Sequence, residues 1–254
     1  MWRRPGRSGA VLYALAAAVV GSVVAFFSRV QVERRRGNDR AARALPAGPV
    51  IIISNHTSHA DGVLLVLACR RLGRDVRMLA TSGVFRVPVL GRLLRRLGFI
   101  SVKRDSEQAA AALDEAAAAL DAGEAVGLYP EGRVTRDPMM WPERAKTGAV
   151  RLALRCNVPI VPLAMLGAHE VLGRRRRLAT LARNLLRRPK VSTKVGTPID
   201  VRALMHIGPD TEPTADEIRL AADLVMGRLV ALVSELRGEA APHPHGAPRS
   251  TTTD

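Results

Sequence analysis

Only two cysteines, Cys69 and Cys156, occur in the 254 residues. Each lies inside an apolar helical pattern, so a disulfide framework is excluded and both read as reduced core residues. Aromatic side chains are scarce as well, at 3% of the chain. That scarcity argues against a nucleic-acid-binding module, which needs flat rings on which bases can stack. Acidic residues are also short: 23 Asp and Glu face 39 Lys and Arg, a formal net charge of +16. A field of that sign attracts phosphates, anionic headgroups and acidic carriers. Histidine, Cys and Asp/Glu do not gather into a second cluster beside the one at 56–61, which weighs against a metal-dependent hydrolase.

Nearly half of the residues are hydrophobic, enough for one sizeable α/β domain. One long apolar run is present. Trp2-Arg3-Arg4 and Arg7 precede a weakly polar stretch from Gly9 to Ser28, and Arg29 and Arg34-Arg35-Arg36 follow it. At about 1.5 Å per residue the run is just long enough to cross a hydrocarbon layer. A signal peptide would also begin this way, but Phe26-Phe27 and Arg29 stand where small residues should mark a cleavage site. The stretch therefore reads as a retained membrane-anchor helix, either spanning the bilayer or lying in its interface. Basic residues on both sides leave its orientation open. The expected organisation is an anchor at 1–30, a basic connector at 31–45, a catalytic domain at 46–238 and a Pro/His/Thr-rich disordered tail at 239–254.

Beyond Pro46-Ala47-Gly48-Pro49, strand and helix patterns alternate. Strands are expected from Val50, over Val76–Thr81, Phe99–Lys103, Ala125–Tyr129, Pro159–Met165 and Val191–Val195. The two prolines of the fifth point to an edge or a bent end. Helices are expected after Asp61, as two short pieces across Val84–Leu97, over Ser106–Ala122, Lys146–Asn157 and the basic stretch Arg174–Arg188. A last helix over Thr214–Arg237 opens on a Thr214-x-x-Glu217 capping box. This pattern predicts an α/β fold, a mostly parallel sheet covered by helices on both faces, with sites where strands end.

The chemistry-bearing residues fall at those ends. Asn55-His56-Thr57-Ser58-His59-Ala60-Asp61 joins the first strand to the first helix. His56 and Asp61 are five apart. On one helix they would diverge by roughly 140°, and on one strand they would face opposite sides. They can meet only across a turn, which the segment predicts. An aspartate on one ring nitrogen would fix the tautomer and leave the other nitrogen to take a proton. The plainer alternative is a polar loop whose Asp61 caps the helix; a metal site built on His56, His59 and Asp61 is a third. Lys103-Arg104-Asp105 ends another strand, and Glu131-Gly132-Arg133-Val134-Thr135-Arg136 follows a fourth. Guanidinium groups there suit a phosphorylated ligand. Lys146-Thr147-Gly148 lacks the glycines of a P-loop and is set aside.

Four blocks in order carry a resemblance: His56-x4-Asp61; Gly98-Phe99-Ile100-Ser101-Val102-Lys103-Arg104; Tyr129-Pro130-Glu131-Gly132; and Val158-Pro159-Ile160-Val161-Pro162. Over roughly 46–195 the chain resembles the glycerolipid acyltransferases, best known as 1-acyl-sn-glycerol-3-phosphate acyltransferases. The resemblance implies acyl transfer from acyl-CoA or acyl carrier protein, without metal or other cofactor, to a glycerophosphate hydroxyl at a membrane surface. The product would be phosphatidic acid if the acceptor is 1-acylglycerol-3-phosphate. It implies His56 as base and Asp61 as its partner. It implies a phosphate site among Lys103, Arg104, Glu131, Gly132, Arg133 and Arg136. The third block departs from the family pattern: Val134 stands at the usual arginine position, so Arg133 or Arg136 would supply the charge. With reduced cysteines, the catalytic domain is expected on the cytoplasmic side of the cell membrane. A non-catalytic membrane scaffold, the remaining rival, would leave the polar residues at successive strand ends without a purpose.

Overall fold

The computed structural model describes residues 5–33, 45–103, 108–172, 180, 183–184, 186–208 and 211–242. Arg104, most of the expected basic helix Arg174–Arg188, most of the expected connector and the end of the tail lie outside them. Seven strands form one sheet: β1 (Arg29–Glu33), β2 (Val50–Ser54), β3 (Val76–Thr81), β4 (Ile100–Val102), β5 (Ala125–Leu128), β6 (Ile160–Leu166) and β7 (Lys190–Val195), in the order β1-β7-β6-β2-β5-β3-β4. Every pairing is parallel except β6 with β7.

The β-branched run of β2 explains why it is central. Its residues are buried on both sides, as a strand covered by helices requires. Ile51 and Ile53 enter one apolar cluster with α5 (Gln108–Asp121), α6 (Gly148–Cys156) and the long C-terminal helix α9 (Ala215–Arg237). Val50 and Ile52 enter the opposite cluster with α2 (Asp61–Arg71). The capping box predicted for α9 is formed, with Thr214 and Glu217 bonding to each other's backbone N–H. Short helices α3 (Ser82–Phe85) and α4 (Pro88–Arg96) replace the single apolar stretch after β3, as the proline predicts. The helical turns α7 (Ala168–Val171) and α8 (Val201–Met205) complete the set.

Two expectations are corrected. The connector placed at 31–45 begins inside a strand, because Arg29–Glu33 pairs with β7. Its alternation was available in the sequence: Val30 and Val32 pack on the core while Arg29, Gln31 and Glu33 face outward. The Pro-bearing strand β6 is not an edge, since it lies between β2 and β7. Pro162 is tolerated because the antiparallel ladder with β7 starts one residue later, at Leu163 opposite Val195. Its carbonyl still accepts from Gly196 N–H at 2.8 Å, and no N–H is required of it.

The apolar helix α1 (Arg7–Phe27) docks along the domain rather than projecting from it. Tyr13 is buried, its hydroxyl donating to Val76 O at 3.0 Å and accepting from Val76 N at 3.1 Å. Tyr13 and Ala17 pack with Leu67 and Leu97. At the far end Val24 joins the sheet-facing core, and Ser28 leads directly into β1.

Candidate active site

The segment after β2 is fastened from both sides. Asn55, buried, donates to Met165 O and accepts from Met165 N, each at 2.8 Å, tying the end of β2 to the end of β6. Ser58 Oγ donates to Leu172 O at 2.8 Å. The chain then turns, and Asp61 enters the first turn of α2 fully buried. Its Oδ2 accepts from Thr57 N at 2.5 Å and Ser58 N at 2.7 Å. The same oxygen lies 2.9 Å from His56 Nδ1. The turn needed to bring residues 56 and 61 together is thus made by the aspartate itself. It acts at once as loop brace and as ring partner.

A carboxylate can only accept, so the contact places the proton on Nδ1 and leaves Nε2 with its lone pair. The ring stacks on Tyr129, with centroids 4.0 Å apart and planes 14° from parallel. The His56 side chain is 12% exposed, which orients it without sealing it. Its backbone is also held: Glu131 Oε1 accepts from His56 N at 3.3 Å, and His56 O accepts from Thr135 N at 2.7 Å.

The loop after β5 supplies the second half. Glu131 is buried, and its Oε2 accepts from Glu143 N at 3.0 Å. Burial lifts this carboxyl to about 7, against the two backbone N–H bonds that favour its charged form. Both oxygens accept from main-chain donors, His56 N and Glu143 N, so Glu131 braces the two loops from behind. Glu143 continues the network, accepting from Arg133 Nη2 at 3.0 Å and from Arg136 N at 2.8 Å. Arg133 Nη1 is buried with no partner, while the residue as a whole is half-buried. Arg136 is exposed. Gly132 takes φ +71°, and a Cβ there would meet Lys146 Cε at 3.2 Å. Lys146 therefore lies over the glycine turn. The sequence pattern around Lys146 carries no sign of this placement, which depends on Lys146 N donating to Pro130 O at 2.8 Å to close the loop.

Lys103 is on the same rim of the sheet but not beside His56. Three strand spacings of about 4.8 Å separate β4 from β2, through β5 and β3. Lys103 instead lines a cavity of about 360 Å³ with Ser82, Arg86 and Glu115. Among the described residues, no group of three or more His, Cys, Asp or Glu side chains is placed to hold a metal ion.

The sequence profile of the Acyltransferase family matches residues 32–166, more than half of the chain. The chain belongs to the acyltransferase family. It is similar to 1-acyl-sn-glycerol-3-phosphate acyltransferase alpha of Mus musculus, 32% identical over 163 residues, covering 63% of this chain and 55% of that one. It is also similar to the chloroplastic 1-acyl-sn-glycerol-3-phosphate acyltransferase BAT2 of Brassica napus, 28% identical over 125 residues. That match covers 49% of this chain and 35% of the plant protein. The chain thus spans about a third to a half of the length of these relatives. Its fold is that of the crystal structure of the 1-acyl-sn-glycerophosphate acyltransferase PlsC from Thermotoga maritima, with a TM-score of 0.64 at 21% identity over 95% of this chain and 86% of that one.

Proposed function

We propose that this protein transfers a fatty acyl group from a thioester, acyl-CoA or acyl carrier protein, to the free hydroxyl of 1-acylglycerol-3-phosphate, giving phosphatidic acid. The observation that carries the reading is the 2.9 Å contact of His56 Nδ1 with a fully buried Asp61. It leaves Nε2 as the one basic atom of the ring.

The acceptor hydroxyl attacks the thioester carbonyl carbon as its proton passes to Nε2. Asp61 stabilises the imidazolium that forms. The tetrahedral intermediate then collapses, the C–S bond breaks, and the proton on Nε2 goes to the departing thiolate. No covalent enzyme intermediate is required, because the thiolate is already a good leaving group. Arg133, with Nη1 unpartnered, and Lys146 over the Gly132 turn lie on the loop that bonds to the His56 backbone and are the candidates for the acceptor phosphate. Arg136 and Lys103 would add positive potential along the rim.

Membrane association follows from α1. Its outer face exposes Val11, Leu15, Val19, Val23 and Phe26, spaced at four and three residues. Its inner face is packed on the domain over most of its length. A helix of 21 residues, about 31 Å long, that is bound side-on to a water-soluble domain reads as lying in the interface rather than crossing the bilayer. The cytoplasmic face is where reduced Cys69 and Cys156 and the thioester donors would be found.

The test is a radiolabelled acyl-CoA assay over a panel of acceptors: 1-acylglycerol-3-phosphate, glycerol-3-phosphate, other lysophospholipids and a glycolipid. His56→Ala is the control. Turnover of 1-acylglycerol-3-phosphate that disappears in a folded His56→Ala protein is the expected result. A folded variant keeping a third of the activity would remove His56 from the reaction.

A further inference from the structure

The turn entering α4 has no part in the chemistry above, yet its surface joins exposed apolar residues to a run of cations. Residues 77–104 contain seven Arg and Lys and not one Asp or Glu. Within this stretch Arg86, Val87, Pro88, Val89 and Leu90 are exposed in succession. Val89 is 77% exposed, and Val87 and Leu90 are exposed by nearly half. Single apolar residues on a surface need no explanation. A contiguous apolar turn ringed by cations does.

The turn is held firmly. A Cβ on Gly91 would lie 2.1 Å from Phe85 O, so α4 crosses the end of α3 at backbone contact and only glycine fits. Leu93 and Leu97 of α4 pack with Tyr13 of α1, which makes the turn a neighbour of the apolar helix. It also stands on the functional rim, since α3 starts directly at the C-terminal end of β3, and β3 adjoins β5 with its Glu131 loop.

We infer that Val87–Leu90 is a second membrane contact. The turn enters the acyl boundary of an anionic bilayer while Arg86, Arg92, Arg95 and Arg96 meet headgroup phosphates, and the His56 rim is thereby turned toward the lipid surface. The charge pattern selects this occupant: guanidinium groups beside a shallow apolar wedge are what an anionic interface rewards. The inference rests on the reading that the enzyme works at a membrane, and its test separates the two.

Val89→Cys in a Cys156→Ser full-length chain is labelled with an environment-sensitive fluorophore. Vesicles of phosphatidylglycerol and phosphatidylcholine, or of phosphatidylcholine alone, are then added, with co-sedimentation read on the same samples. A blue shift and protection from acrylamide quenching with anionic vesicles, weaker with phosphatidylcholine alone, are expected. Protein that sediments with vesicles while the label stays water-exposed would overturn the inference and leave membrane action standing. Protein that sediments with neither vesicle would overturn both. A label already buried without vesicles, in a species with a dimer's mass, would assign the turn to a second copy and overturn the inference. Val89→Asp, at a position that no folding contact uses, should weaken binding to anionic vesicles about tenfold and slow acylation of a bilayer-borne acceptor. Turnover of a short-chain, water-dispersed acceptor should be unchanged. Equal loss on both acceptors would count against the membrane role.

Discussion

The loops after β2 and β5 meet at one ring and are built in opposite ways. The first, residues 55–61, turns most of its polar contacts to holding its own shape, although buried Asp61 Oδ1 has no partner among the described residues. Asn55 clamps a neighbouring strand, Ser58 reaches Leu172, and Asp61 Oδ2 gathers two backbone N–H groups and the imidazole. The second, residues 129–147, is long and fastened at its acids, Glu131 and Glu143, while Arg133 keeps one unpartnered donor and Arg136 lies at the surface. The difference separates two requirements. A proton-transfer group must be held to a fraction of an ångström, so its loop is over-determined. A group that recognises a ligand must have bonds left to make, so its loop is braced from behind and unfinished in front.

The sharpest way to break this contrast is Asp61→Asn. The amide oxygen can still accept from Thr57 and Ser58 N–H, so the loop should keep its shape. The negative charge facing Nδ1 is lost, and with it the fixed tautomer and the stabilised imidazolium. Turnover should fall by about 10²–10⁴-fold with little change in acceptor KM. Steady-state kinetics beside a thermal melt checks this, and an unchanged kcat in a folded variant would show that Asp61 only shapes the loop. Asp61→Ala should also lose stability, since two buried N–H groups are left unpaired at about 1–3 kcal/mol each.

Next in size is Glu131→Gln, which weakens the brace behind the second loop. One of the two oxygens is replaced by a donor that faces a backbone N–H, so His56 should be less well placed and kcat should fall about tenfold, more than KM rises. The variant also removes a titration. The folded carboxyl sits at about 7 against an ordinary 4.5, so between those values the folded protein keeps a proton that the unfolded chain releases. The contribution of this group to stability is complete below 4.5 and is lost as pH rises through about 7. Urea unfolding at pH 5, 6, 7 and 8 should therefore show a shallower decline for Glu131→Gln than for the parent chain. Identical slopes would mean that the carboxyl is charged throughout.

The two loops also differ in how legible they were. A short polar segment between a β-branched run and a helix required His56 and Asp61, five apart, to meet across a turn, because no regular element could bring them together. That argument is local, and the His56–Asp61 contact it called for is present. The second loop is not local. The resemblance of its block places Glu131 in the phosphate site; the backbone groups it braces, His56 N and Glu143 N, are 75 and 12 residues away and no short pattern reports them. Lys146 was passed over because its chemistry depends on a loop closure that no short pattern reports. Lys103, placed in the phosphate site by the resemblance, shares a rim with His56, but the strand order puts three spacings between their strands. The same limit hid β1, whose Val-Gln-Val alternation is too short to stand out beside an apolar run and a row of arginines.

A smaller effect is expected from the cations of the second loop. Arg133→Ala and Lys146→Ala should each raise the KM for the phosphorylated acceptor several-fold to tenfold, about 1–1.4 kcal/mol of lost charge-assisted contact, with kcat and donor KM nearly unchanged. An unchanged acceptor KM in both would move the phosphate site outward along the rim, toward the cavity lined by Lys103 and Arg86.

The smallest change probes the junction between the brace and those cations. Gly132 holds a positive φ, and an alanine there costs about 1 kcal/mol of backbone strain. Its new methyl would also press on Lys146 Cε and Cδ at 3.2 and 3.3 Å. Those atoms belong to a flexible side chain that can give way, so Gly132→Ala should fold with a slightly lowered midpoint of denaturation. If Lys146 helps to hold the acceptor, displacing it should reproduce part of the KM increase of Lys146→Ala, and the double variant should be no worse than Lys146→Ala alone. Full additivity of the two would show that the glycine serves only the turn, and that the lysine above it acts independently.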